Sequence, residues 1–106
     1  MKTIDEINLL LRQHRKELAQ KYNISELGIF GSVVRNEQKA TSDVDILIDF
    51  FDPPSLFGFI ELEAKLSALL DCKVDLVMKS SLKPAIGKHI LRETQYVRKI
   101  LLDSKF

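Results

Sequence analysis

One segment, residues 43–51, constrains the fold of this chain more than any other. Its residues alternate as on the two faces of a β-strand, and the purely apolar face consists of Val44, Ile46, Ile48 and Phe50. This alternation predicts a strand with one fully buried face. Residues 55–70 then repeat apolar side chains at helical spacing, and residues 74–78 predict a further strand. Because a strand–helix–strand order requires a crossover, the two strands should be parallel and joined with right-handed connectivity.

The segments before this unit predict one helix, one strand and a turn. Thr3 and Glu6 match a capping box, and apolar residues recur at helical spacing from there to Asn23. Residues 27–31 are apolar enough for a short strand. Residues 33–35 suit a turn or two of helix before a polar loop.

The C-terminal part predicts one more helix. Pro84 suits the first turn of that helix, which carries Ile86, Ile90 and Leu91. Residues 96–106 show no pattern that assigns them to a helix or a strand. With no internal repeat and no low-complexity linker, residues 1–106 are expected to form a single domain, because 106 residues is the common size of one.

Composition excludes several classes of protein. The formal net charge of +1, without a run of like charges, argues against strong general nucleic-acid binding. The single cysteine, Cys72, cannot form an intramolecular disulfide. Acidic residues interrupt the N-terminus too early for a signal peptide, and no long uncharged apolar stretch suits a membrane span. We therefore expect a soluble, cytoplasmic protein without a membrane partner.

Three aspartates should meet at one edge of the sheet. Parallel neighbouring strands begin at the same end, so Asp75 should lie beside Asp43 and Asp45. Asp43 and Asp45 project to one side with backbones about 6 to 7 Å apart, and such like charges favour either protonation or a bound cation. Magnesium suits carboxylates combined with triphosphate oxygens, and two such ions could clamp an in-line phosphoryl substitution. The alternative interpretation is that Asp43 and Asp45 simply lie on a solvated strand face. We would favour this interpretation if the chain lacked the turn at Gly31.

Gly31 and Ser32 follow a strand and can receive a phosphate on exposed backbone N–H groups at the start of the expected helix. Gly31 allows close approach, and the Ser32 hydroxyl can add a hydrogen bond. Arg35 fits either a triphosphate contact or a surface salt bridge. Asp75 could contact one metal ion and accept the proton of an incoming hydroxyl.

These residues carry a resemblance to a known family. Gly31-Ser32, followed by Asp43-Val44-Asp45 and then Asp75 on an apolar strand, resembles the nucleotidyltransferases of the DNA polymerase beta superfamily. The similarity to the minimal nucleotidyltransferase branch covers most of the chain, although Asn36 stands where that branch often has glycine. The resemblance implies an α+β fold, with helices packed on a small mixed β-sheet, and a magnesium-dependent enzyme that uses ATP.

The same resemblance implies a biological role. Members of this branch are antitoxins paired with HEPN ribonuclease toxins, so it implies transfer of AMP from ATP to a tyrosine hydroxyl of such a toxin, within a hetero-oligomer. A short chain leaves little room for an acceptor pocket of its own, and a partner could supply the missing wall. Two alternatives remain open, namely an antitoxin that acts by binding alone and transfer to a small molecule such as an aminoglycoside.

Overall fold

The computed structural model describes residues 2–39 and 43–97. Three α-helices pack on a four-stranded mixed sheet, which confirms the α+β fold. The helices are α1 (Ile4–Tyr22), α2 (Leu56–Leu70) and α3 (Pro84–Glu93), with a short 3₁₀ turn at Lys79–Ser81. The strands are β1 (Ile24–Phe30), β2 (Val44–Phe50), β3 (Val74–Met78) and β4 (Gln95–Tyr96). None of the described helices has the length and apolar character needed to cross a membrane.

The sheet has the order β3-β2-β1-β4. β1 is antiparallel to both β2 and β4, whereas β2 and β3 are parallel. The parallel pair confirms the prediction from the strand–helix–strand order, with α2 as the connection. The bounds of β2 differ from the prediction by one residue at each end. β1 begins at Ile24, three residues earlier than predicted, because its first residues pair with the end of β2.

Helix α1 begins as the sequence predicts. The Thr3 hydroxyl accepts a hydrogen bond from the Glu6 N–H at 3.2 Å, and the Glu6 carboxylate accepts one from the Thr3 N–H at 3.1 Å. This reciprocal pair satisfies two amide groups at the start of the helix. At the other end, Asn23 adopts the left-handed conformation with φ 58° and ends the helix.

The core lies between the helices and one face of the sheet. It combines the buried side chains of α1 and α2 with those of the three longer strands; among them are Ile7, Leu11, Leu18, Leu27, Ile29, Val44, Ile46, Ile48, Leu62, Leu66 and Leu70. The apolar face predicted for residues 43–51 is therefore buried. The apolar stripe predicted for α2 is only partly buried, because Leu56 in its first turn is 72% exposed.

The segment after Gly31 corrects a prediction. Residues 32–36 form hydrogen-bonded turns and not a helix, with the N–H groups of Val34 and Arg35 both donating to the Gly31 carbonyl at 3.1 and 3.3 Å. Asn36 then takes φ 57°, a left-handed conformation that ends any helical run. Asparagine tolerates this conformation better than most residues other than glycine. A phosphate at this turn therefore cannot rely on the dipole of a helix.

The C-terminal residues close the other edge of the sheet. Gln95 and Tyr96 pair with β1, and the Val97 N–H donates to the Leu27 carbonyl at 2.7 Å. Sequence reasoning left residues 96–106 unassigned, and the part of that stretch beyond Val97 lies outside the described residues. The sheet ends here at β4 and, on its other side, at β3.

Candidate active site

Asp45 and Asp75 are paired residues of the parallel strands β2 and β3. Paired residues on neighbouring strands project to the same face and lie about 4.8 Å apart at the backbone. The face opposite the core therefore carries both carboxylates, near the beginning of both strands. Asp45 is half-buried, whereas Asp75 is exposed. The structure thus brings together two of the three predicted acidic residues, as expected from parallel pairing.

Gly31 lies directly against the Asp45 carboxylate. β1 runs antiparallel to β2, and Phe30 pairs with Asp45, so the chain leaves the sheet beside this aspartate. A Cβ atom added at Gly31 would overlap the Asp45 carboxylate, and Gly31 also has a φ of +82°. Both observations require glycine at this position. The turn after β1 and the aspartate of β2 therefore form one site.

Asp43 lies just before β2 and at the margin of this site. Its carboxylate approaches the Lys73 ammonium to 3.8 Å, in a pair whose side chains are 40% and 80% exposed. An ion pair this exposed contributes little to stability. Val44 follows Asp43 and donates its N–H to the Lys73 carbonyl at 2.9 Å, which holds the start of β2 beside the start of β3.

The electrostatics of Asp45 reflect its neighbours. Burial, followed by the charges of Asp75 and Asp43, raises the pKa of Asp45 to about 6. The Arg35 guanidinium opposes this effect and lowers the pKa of Asp45. Carboxylates this close carry a repulsion that a cation would relieve. Within residues 2–39 and 43–97, however, no three acidic, histidine or cysteine side chains are already gathered as around a metal ion.

The turn from Gly31 to Arg35 is held by a residue of α3. The Glu93 carboxylate accepts a hydrogen bond from the Gly31 N–H at 3.0 Å and ion-pairs with the Arg35 guanidinium at 2.8 Å. Arg35 therefore forms a salt bridge in this structure, one of the two roles that its sequence position allowed. Ser32 is half-buried in the same turn, and its carbonyl accepts from the Glu37 N–H at 2.8 Å.

Sequence reasoning missed Glu93. It lies 62 residues from Gly31, and no local pattern connects the two positions. One signal was present, because Glu93 is the only acidic residue in the otherwise apolar and basic helix Pro84–Glu93.

Comparison with known proteins identifies the family of this chain. Residues 11–97 match the family model of the nucleotidyltransferase domain. The chain is also 57% identical over 97 residues to the protein adenylyltransferase MntA of Thermococcus cleftensis, an alignment that covers 92% of this chain and 98% of that protein.

Two solved structures share the fold. One is described as a candidate minimal nucleotidyltransferase; it is 30% identical, with a TM-score of 0.67, and the alignment covers 83% of this chain and 93% of that chain. The other is a complex of a tri-AMPylated HEPN toxin of Shewanella oneidensis with an MNT antitoxin. The matched chain is 21% identical, with a TM-score of 0.63, and the alignment covers 92% of this chain and 77% of that chain. At this identity the match supports the fold alone. The chain belongs to the nucleotidyltransferase domain family, in the minimal branch that includes protein adenylyltransferases.

Proposed function

We propose that this chain is an antitoxin that transfers AMP from ATP, with Mg²⁺, to a tyrosine hydroxyl of a HEPN toxin and thereby neutralises it. The observation that carries the proposal is the contact of the Asp45 carboxylate with Gly31, beside Asp75 on the neighbouring strand. A relative 57% identical to this chain is a protein adenylyltransferase. The solved complex whose MNT antitoxin shares this fold contains an AMPylated HEPN toxin, and we therefore choose a HEPN toxin as the acceptor to test.

In this proposal the turn after β1 receives the triphosphate. Among the described residues, the N–H groups of Ser32 and Val33 donate no hydrogen bond to the protein, so they are available to phosphate oxygens. Gly31 has no side chain to block the approach, and the Ser32 hydroxyl adds a donor. Arg35 supplies positive charge at the end of the turn.

Asp43, Asp45 and Asp75 are the residues that would hold magnesium. They fit this role because Asp45 and Asp75 are paired on neighbouring strands, with Asp43 just before β2, and because carboxylate oxygens are the ligands that Mg²⁺ prefers. Their side chains would have to turn toward one another, since they are not yet gathered around a common point. When bound, Mg²⁺ would neutralise charge on the triphosphate and on these carboxylates.

Asp75 is proposed to accept the proton of the incoming tyrosine hydroxyl. It is exposed at the beginning of the edge strand β3, where a group on another protein can reach it. An acceptor within hydrogen-bond distance of the attacking hydroxyl increases its nucleophilicity as the new bond to phosphorus forms. The tyrosine oxygen then carries AMP, and pyrophosphate leaves.

The acceptor is proposed to be another protein because a relative 57% identical to this chain is a protein adenylyltransferase. Residues 1–106, taken as a single domain, provide the sheet edge and the turn, and a toxin bound over Asp75 would provide the remaining wall of the site. The complex is therefore a hetero-oligomer, and we place it in the cytoplasm, where ATP is available.

The test is transfer of label from α-labelled ATP to a co-purified HEPN toxin in the presence of Mg²⁺. We expect label on a toxin tyrosine with the wild-type chain and with Asp49→Asn, a control on β2 away from Asp75. Asp43→Ala and Asp45→Asn should abolish labelling while the variants still fold. Equal labelling by wild type and Asp43→Ala would refute the catalytic role.

A second assay separates catalysis from neutralisation by binding alone. Cells that express the toxin are rescued by the wild-type chain if the proposal is correct, and the double variant Asp43→Asn, Asp45→Asn should fail to rescue them. Full rescue by the double variant would show that the chain neutralises its partner without transferring AMP.

A further inference from the structure

The carboxylate of Glu93 connects both ends of the turn after β1. Its Oε1 accepts a hydrogen bond from the Gly31 N–H at 3.0 Å, and both of its oxygens accept from Arg35 Nη1, at 3.1 and 2.8 Å. Gly31 and Arg35 are the two ends of the turn that is closed by the hydrogen bond from the Arg35 N–H to the Gly31 carbonyl at 3.3 Å. A single side chain from α3 therefore fixes the span of the turn from outside it.

Glu93 differs from an ordinary surface ion pair in its burial. Its side chain is 15% exposed, whereas that of Glu37, the other carboxylate near Arg35, is 62% exposed and lies 3.5 Å from Arg35 Nε. Hydrogen bonds to a charged, largely buried acceptor are stronger than exposed ones. The contact between Glu93 and Arg35 should therefore order the turn, whereas the contact between Glu37 and Arg35 should contribute little to that order.

Glu93 also lies close to the acidic site. Its carboxylate binds the N–H of Gly31, the residue that lies against the Asp45 carboxylate. Because Gly31 contacts the Asp45 carboxylate, a shift of the turn would change the distance between the phosphate-binding groups and Asp45. The position of the turn is thus coupled to the geometry of the whole site.

We propose that Glu93 is a positioning residue, which holds the Gly31–Arg35 turn and the Arg35 guanidinium in the arrangement that receives the triphosphate of ATP. This inference rests on the proposed function, since it assigns the triphosphate to this turn. Glu93 does not contact the nucleotide. It acts through the Gly31 amide and through Arg35.

Three variants separate this role from simple stability. Glu93→Ala removes both contacts, Glu93→Gln keeps an oxygen acceptor for the Gly31 N–H but loses the charge opposite Arg35, and Glu37→Gln is the matched control on the same arginine. ATP affinity is measured by calorimetry with a non-hydrolysable ATP analogue and Mg²⁺. KM for ATP and kcat are measured with the toxin present.

We expect Glu93→Ala to weaken analogue binding and to raise KM for ATP by about tenfold or more, with kcat at saturating ATP nearly unchanged. Glu93→Gln should have a smaller effect of the same kind, and Glu37→Gln should behave as wild type. Amide exchange of Gly31 should be fast in Glu93→Ala and protected in Glu93→Gln. This last readout needs no nucleotide.

Failure of the two proposals can be distinguished. If wild type binds the analogue and both Glu93 variants bind it equally well, the positioning role is refuted and the proposed function stands. If wild type binds the analogue without labelling the toxin, the acceptor assignment fails, and the Glu93 series still decides the positioning role through affinity. If wild type does not bind the analogue at all, both proposals are overturned. Where Glu93→Ala does not fold, Glu93→Gln against Glu37→Gln gives the decisive comparison.

Discussion

Asp45 on β2 and Asp75 on β3 are paired neighbours in the sheet, and the Asp45 carboxylate also lies against Gly31 at the end of β1. Three strands therefore bring their ends to one point, and two of them contribute a carboxylate there. Placing like charges side by side is unfavourable for the folded chain without a cation. This relationship makes both the stability and the activity of the chain sensitive to substitutions at Asp45.

The first prediction concerns Asp45 and pH. The pKa of Asp45 rises from 3.8 to about 6 on folding, so the folded chain binds this proton more tightly than the unfolded chain does. The free energy of unfolding therefore falls as the pH rises from about 4 to 6 and Asp45 loses its proton. Above pH 6 this loss of stability is complete. Asp45→Asn removes this loss of stability. We expect the variant to be more stable than wild type by about 1 kcal/mol at pH 7.5, after allowance for solvent screening, and by much less at pH 4.5.

Urea unfolding in the presence of EDTA at both pH values measures this difference. Asp49→Asn on the same strand serves as the control, and it should not reproduce the pH-dependent gain. A metal-free Asp45→Asn chain that is less stable than wild type at pH 7.5 would contradict the electrostatic account of the site.

The second prediction concerns Asp75 as proton acceptor. Asp75→Asn should lower kcat for AMP transfer by about 100-fold or more, the usual contribution of a general base. Because Asp75 is exposed, the melting temperature should change little. The control is Asp71→Asn, since Asp71 is an exposed carboxylate at the end of α2 with φ 52°, a conformation that asparagine also adopts. A variant at Asp75 with wild-type kcat would exclude it as the base.

Local patterns were sufficient to predict the centre of the fold. The alternation in residues 43–51 and the helical spacing before residue 74 together predicted parallel strands, and parallel pairing is what aligns Asp45 with Asp75. The capping box at Thr3 was equally local, since its two partners are three residues apart. Features of this kind depend on contacts close in sequence or on a single crossover rule.

The rest depends on contacts that no local pattern encodes. Residues 33–35 were predicted to form a turn or two of helix, but Asn36 in a left-handed conformation ends the run after one turn. Glu93 contacts Gly31 across the whole β2–α3 segment, so its role required the folded chain. The start of β1 at Ile24 was also missed because pairing with Phe50, and not local composition, extends the strand.

The third prediction concerns Gly31. Gly31→Ala places a methyl group against the Asp45 carboxylate and forces an alanine into φ +82°. We expect a loss of about 1 to 3 kcal/mol in unfolding free energy, and loss of AMP transfer because the turn and Asp45 must move apart. Gly58→Ala in α2 is the control; its new Cβ would lie 3.1 Å from Pro54 Cβ, a contact that a small shift relieves. Equal stability of Gly31→Ala and wild type, by thermal melting, would show that this close approach is not required.

The fourth prediction concerns the exposed edge of β3. β3 is the last strand of the sheet, and side chains of α2 bind two of its backbone N–H groups. The Leu76 N–H donates to the Glu63 carboxylate at 3.0 Å, and the Val74 N–H donates to the Ser67 hydroxyl at 3.1 Å. Covering an edge in this way prevents another strand from pairing with it.

Glu63→Ala should therefore have two effects. The loss of one hydrogen bond from a charged acceptor lowers the free energy of unfolding by about 1 to 3 kcal/mol, and the freed N–H makes self-association more favourable at high concentration. Glu63→Gln keeps an acceptor oxygen and should recover most of both losses. Glu61→Ala is the matched control, because Glu61 is exposed on the same helix and lies 4.0 Å from Lys21. These effects are measured by urea unfolding, by amide exchange at Leu76 and by sedimentation velocity. If Glu63→Ala and Glu61→Ala give the same result in all three measurements, the protection of β3 does not depend on Glu63.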